Sequence, residues 1–207
     1  MREIRSEYLS QKLYIAMSII ILSLCSLSIP LIVKSYRDYN KTNQALTEIQ
    51  ALQAVADLAN KISRERAPAN KLMSSNQQDF AQHVLELKLY RLTVDEQMKK
   101  TLEVLKHSNL PNLDLSLVDR LDEALTQGRQ QVDAYAALPR EQRNAETMDQ
   151  AILKMFSAWD LSHDVLKDVI AVSEGKDTAV SNFYVQIVLL SDLHDQAGRA
   201  EFNVMGH

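Results

Sequence analysis

The chain has 207 residues, with 27 acidic and 23 basic side chains and a net charge of −4. Mixed, mildly acidic charge excludes the basic footprint of a nucleic-acid binder. A single cysteine, Cys25, excludes an intrachain disulfide framework, and the four glycines, Gly128, Gly175, Gly198 and Gly206, are too dispersed to form a phosphate-cradling loop.

Residues 1–12 form a short amino-terminal segment carrying Arg2, Arg5 and Lys12. Residues 13–33, Leu13 to Val33, carry no charge. A helix needs about 20 apolar residues to cross a hydrocarbon core of ~30 Å, so this run is a transmembrane helix. A small-x-small site at Ser26-Leu27-Ser28 raises the alternative of a cleaved signal peptide. The apolar run continues through Ile29-Pro30-Leu31-Ile32-Val33, which favours an uncleaved anchor. Leu24 stands where lipid attachment at Cys25 would need a small residue. Lys34, Arg37 and Lys41 balance the basic residues on the near side, so charge alone leaves the orientation open.

Residues 34–207 read as helix throughout. Apolar residues recur at steps of three and four, which places them on one face of a 3.6-residue helix. The first stripe, Ala45, Ile49, Leu52, Ala56, Ala59 and Ile62, follows the anchor without a turn signal, so one helix is expected from Leu13 to Ile62. The second is Phe80, Val84, Leu87, Val94, Met98, Leu102 and Leu105, stopped near Pro111. The third is Val118, Leu121, Leu125, Val132 and Tyr135, with Gly128 on the same face where a helix neighbour can approach closely; Leu138-Pro139 stops it. The fourth is Met148, Ile152, Met155, Trp159, Leu166 and Val169, followed by a turn at Ser173-Glu174-Gly175-Lys176-Asp177. The fifth is Val180, Phe183, Ile187, Leu190 and Ala197. No segment alternates with period two. The expected fold is all-α, an N-terminal transmembrane helix continuing into an antiparallel up-and-down helical bundle.

Three stretches together resemble the extracytoplasmic input domains of bacterial membrane receptors, including membrane-bound diguanylate cyclases, chemoreceptors and nitrate-sensing-type domains. Ile62-Ser63-Arg64-Glu65-Arg66-Ala67-Pro68-Ala69-Asn70 is similar to their Glu-Arg-Gly-Pro-x-Asn signature, with Ala67 in place of glycine. Ala137-Leu138-Pro139-Arg140-Glu141-Gln142-Arg143 resembles their Leu-Pro-x-x-x-Arg link. Asp192-Leu193-His194-Asp195-Gln196-Ala197-Gly198-Arg199 is similar to their Leu-Arg-x-x-Ala-Gly-Arg stretch, with His194 replacing the first arginine. The resemblance implies a cytoplasmic amino terminus, a periplasmic sensor bundle anchored once in the inner membrane, and a homodimer. In that family a second membrane span and an output domain follow, so the bundle is expected to be incomplete and cut before its effector.

The resemblance also implies a ligand site. Its first-helix arginine faces a small anion between helices, which by motif position implies Arg66 first, Arg64 second, and Arg199 as a partner from a later helix. Arg66 and Asn70, four apart, share a face; Arg64 and Arg66, about 200° apart, do not. Guanidinium suits this work because it is a planar, permanently charged fork. The alternative is that Arg64 and Arg66 pair with Glu65, Asp79 or solvent.

Asp160, His163, Asp164, Asp192, His194 and Asp195 invite a metal reading, with Asp160 and His163 at i, i+3. The Glu-x-x-His pairs of bundle metal sites are missing, which favours hydrogen bonding over ligation. Trp159 and Phe156 read as core packing rather than a pocket for an amine. No nucleophile elbow or zinc-protease motif is present, so neither catalysis, a metal nor a cofactor is expected. The leading expectation is a ligand-sensing input module of a signalling receptor, with the membrane, a small-molecule ligand and no nucleic acid as partners. The alternative is a single-pass interaction protein that dimerises with a receptor and binds no ligand.

Overall fold

The computed structural model describes residues 2–76, 78–108 and 110–173, together with 186, 189, 190 and 193. Among the described residues the chain forms four α-helices and no strand: α1 (Arg2–Ser74), α2 (Phe80–His107), α3 (Ser116–Ala137) and α4 (Ala145–Ser173), with a short 3-10 turn at Arg140–Gln142. The chain divides into two compact units, Met1–Leu46 and Thr47–His207.

The first unit is the amino-terminal part of α1. Its apolar side chains are exposed, from Tyr14 at 70% through Leu22 at 71% to Leu31 at 66%. A helix apolar on every face needs an apolar solvent. This helix is long and apolar enough to cross a membrane, with a mean hydropathy of 2.4 in its most apolar window and none of that window buried. Pro30 lies inside it and withholds the N–H that the Ser26 carbonyl would receive, a loss that transmembrane helices tolerate.

The second unit is an up-and-down bundle, and side-chain contacts fix its register. Lys61 meets Gln97 and Lys71 meets Glu86, so α2 runs antiparallel to α1. Arg129 meets Asp95 and Asp133 meets Arg91, which makes α3 antiparallel to α2. Gly128 lies against Met155, and the Asp114 N–H donates to Asp168, so α4 is antiparallel to α3.

The core follows the sequence stripes closely. Leu52, Ala59 and Ile62 of α1, all five members of the α3 stripe, and Ile152, Met155, Trp159, Leu166 and Val169 of α4 are buried. Each aliphatic side chain withdrawn from water contributes about 1.5–3 kcal/mol, which holds the amphipathic helices together. Toward the carboxyl end of α1, Ala69, Leu72 and Met73 of that helix, Leu87 of α2, Val132 and Tyr135 of α3, and Ile152 and Met155 of α4 share one cluster. Two details depart from the expectation. Val84 is 40% exposed, because the buried face of α2 is carried by Leu87, Val94, Met98 and Leu105. Helix α1 also runs on to Ser74 through Pro68. Of the fifth stripe, Leu190 is helical and exposed; Val180, Phe183, Ile187 and Ala197 lie outside the described residues.

The connections use local chemistry. Asn112 adopts a left-handed φ of 66°, a conformation asparagine tolerates better than most residues. Asp114 Oδ1 accepts the Ser116 N–H at 3.0 Å just before α3. The Ser116 hydrogen bonds, with a smaller contribution from Arg120, hold the Asp114 carboxyl below its ordinary value. At the start of α4, Asn144 Oδ1 accepts the Thr147 N–H at 2.9 Å, an N-terminal cap.

Candidate functional site

The residues that carry charge into the bundle lie around Glu65, whose side chain is fully buried. It occupies an inward position of α1 between Ile62 and Ala69, both buried. Arg129 of α3 grips it with two hydrogen bonds, Nε to Oε1 at 2.8 Å and a terminal nitrogen to Oε2 at 2.7 Å. The remaining Arg129 nitrogen donates to Asp95 Oδ1 of α2 at 2.6 Å. Arg91 of α2 holds Asp133 of α3 in a second fork, both bonds 2.8 Å, and brings its Nε to 3.5 Å from Glu65. Three carboxylates and two guanidiniums thus link α1, α2 and α3.

Burial alone would depress the Arg129 guanidinium, but hydrogen bonds and charge from Glu65, then Asp95, outweigh it and raise the pKa above the ordinary value. Forked, charge-assisted hydrogen bonds of this kind are the strong ones and also fix geometry.

A second polar group joins α1 to α2, nearer the amino end of α1 than Glu65. Lys61 Nζ donates to Gln97 Oε1 at 3.0 Å, and Gln97 Nε2 donates to the Ala54 carbonyl at 3.3 Å. Thr101, fully buried, donates its hydroxyl to the same carbonyl at 2.9 Å.

Arg64 and Arg66, both expected at the ligand site, face different neighbours of α1. Arg66 lies on the α4 side, its guanidinium 4.6 Å from the centre of the Phe156 ring and donating to the Ser63 hydroxyl at 2.8 Å. Arg64 is exposed on the α2 side, where it lines a groove with Lys61, Leu89, Tyr90 and Thr93. Asn70 is half-buried, and its backbone carbonyl accepts the Ser74 hydroxyl at 2.9 Å. Arg199 lies outside the described residues. The buried Glu65 carboxylate between them bonds to Arg129 and lies beside Arg91, while the Arg64 side chain is exposed to solvent.

Among the described residues, no three His, Cys, Asp or Glu side chains are grouped so as to hold a metal ion. Asp192, His194 and Asp195 lie outside them. Asp160 and Asp164 are exposed, while His163 is buried with its ring 4.7 Å from that of Trp159. Trp159 is itself buried, and Phe156 packs against the distal core cluster.

Arg143, the last residue of the Leu-Pro-x-x-x-Arg stretch, is tied to the fold. Its guanidinium donates to the carbonyls of Ala136 at 2.7 Å, Leu138 at 3.0 Å and Met73 at 3.3 Å, closing the ends of α3 and α1 with one side chain. Carbonyls in the last turn of a helix have no partner within it, so the arginine satisfies groups otherwise orphaned. Arg143→Ala is expected to cost about 1–3 kcal/mol, read as a lowered midpoint in thermal unfolding. An unchanged midpoint would assign those carbonyls to solvent.

No protein-family model, curated protein or solved structure matches this chain.

Proposed function

We propose that the chain is a membrane-anchored ligand-sensing input module of a bacterial signalling receptor. The observation that carries this reading is that a single helix, α1, contains both the exposed apolar run and the helix that supplies Lys61, Arg64, Glu65 and Arg66 to the bundle. A solute bound against that helix acts on the same continuous element that holds the span. In this reading the anchor lies in the inner membrane, the amino terminus is cytoplasmic, the bundle is periplasmic, and two copies associate.

The ligand is a small anion. Arg64 and Arg66 place two permanently charged forks on different sides of α1, each beside a neighbouring helix. Binding signals only through a difference in affinity between two states, typically ~1–3 kcal/mol of coupling.

The test is thermal unfolding of the full chain in nanodiscs with nitrate, acetate or phenylacetate. An anion at a hundredfold its Kd stabilises by about 2.7 kcal/mol, and a domain of this size gains roughly 2–4 °C per kcal/mol. The expected shift is therefore about 5 °C or more, lost when Arg64 and Arg66 are both replaced by glutamine. Absence of any shift, with co-purification of a full receptor, would replace this reading with that of an interaction protein without a ligand.

A further inference from the structure

Of all the side chains around Glu65, Arg64 is the one left uncommitted. Arg66, Arg91, Arg129 and Arg143 each donate to acceptors within the chain, whereas no hydrogen bond or ion pair engages the Arg64 guanidinium among the described residues. It opens onto a groove of ≈ 320 Å³ between α1 and α2, lined by Lys61, Arg64, Leu89, Tyr90 and Thr93. Sites for small molecules begin at about 300 Å³.

The register of the bundle explains why these five residues meet. Lys61 and Arg64 are three apart and share a face of α1; Leu89 and Thr93 are four apart on α2. The antiparallel pairing that sets Lys61 against Gln97 and Glu65 against Arg91 brings those two faces together. One wall is therefore cationic and the other apolar.

The bonding capacities narrow the chemistry. Lys61 gives one of its three donors to Gln97 and retains two. Arg64 presents a fork whose geometry matches a carboxylate. The Thr93 hydroxyl gives its proton to the Tyr90 carbonyl at 2.8 Å, so it adds no donor for an anion. Leu89 is 57% exposed and Tyr90 38%, which is apolar and aromatic surface left facing water beside two cations.

We infer that this groove binds an amphipathic monocarboxylate, its carboxylate held by Arg64 and Lys61 and its single ring or short alkyl body lying on Leu89 and Tyr90. A bare inorganic anion would use only the cationic wall, and a neutral aromatic only the apolar one. The inference rests on the sensing reading above and assigns it a site and a ligand class.

Phenylacetate is the probe, titrated calorimetrically against the full chain in nanodiscs, with acetate as the anion lacking a body and phenylacetamide as the body lacking a charge. Phenylacetate is expected to bind at least tenfold more tightly than either. Arg64→Gln and Leu89→Asn should each weaken it tenfold or more at an unchanged unfolding midpoint, while Lys154→Gln, which removes an exposed cation of α4 outside the groove, leaves it unaltered. Undiminished phenylacetate binding by folded Arg64→Gln would overturn the assignment. If nitrate or acetate binds through Arg66 and phenylacetate does not bind, the groove fails and the sensing reading stands. If none of the three anions binds, both fall.

Discussion

Arg129→Ala is expected to lower the stability of the bundle by about 3–5 kcal/mol, because it strips a fully buried carboxylate of its forked partner. Solvent screening does little to soften this: the Arg129 side chain is 16% exposed and that of Glu65 not at all. Denaturant or thermal unfolding of the full chain, followed by circular dichroism, measures the loss. Glu65→Met combined with Arg129→Met should recover much of it, since replacing a buried ion pair by apolar groups of similar volume is often close to neutral. A loss below about 1 kcal/mol for the single variant would mean that water reaches Glu65.

The second large effect is at Gly128 of α3, which lies against Met155 and Lys154 of α4. A Cβ at this position would lie 3.0 Å from Met155 Sδ and 3.3 Å from the Lys154 carbonyl oxygen. Gly128→Leu is expected to cost about 3 kcal/mol, at the upper end of the overpacking range, because the backbone carbonyl cannot rotate away as a side chain can. Gly128→Ala should be near neutral. The gain of about 1 kcal/mol in helix propensity offsets the displacement of the flexible methionine. Unfolding midpoints of the two variants side by side check this, and equal losses would place the strain in the backbone of Gly128 rather than in its neighbours.

Gly128 was legible in the sequence because a glycine inside an apolar stripe has few explanations other than a close neighbour. The stripes themselves were legible because the helices are amphipathic: every residue expected on the inner face of α3 is buried. The stops before Pro111 and at Leu138-Pro139 also stand, since proline acts locally and needs no knowledge of the fold. Helix α2 was harder to read. Leu85, Leu89 and Leu92 form a further apolar row that remains 60%, 57% and 51% exposed, so hydrophobicity did not separate its inner face from its outer one.

The ion network was missed for a related reason. Glu65 stands between Arg64 and Arg66 in the sequence, yet its place between Ile62 and Ala69 puts it on the buried face. A carboxylate on an apolar stripe demands a cation from elsewhere, and that requirement was the available signal. Which cation answers it depends on register between α1 and α3, information that no single helix contains. Arg143 stands in a motif visible in the sequence, yet its bonds to three carbonyls need the ends of α1 and α3 side by side.

Because Glu65 is held by arginines from two different helices, the bundle has a gauge for the axial position of α1. A slip of α1 by one turn, ~5.4 Å, would present either Lys61 or Ala69 where Glu65 stands. The first opposes two guanidiniums with a third cation; the second leaves them facing a methyl group. Even a shift of ~1–2 Å, the scale of many helix movements in signalling, exceeds what bonds of 2.7 and 2.8 Å to one fork can follow. Piston-like sliding of α1 past α2 and α3 is therefore the costly movement in this bundle.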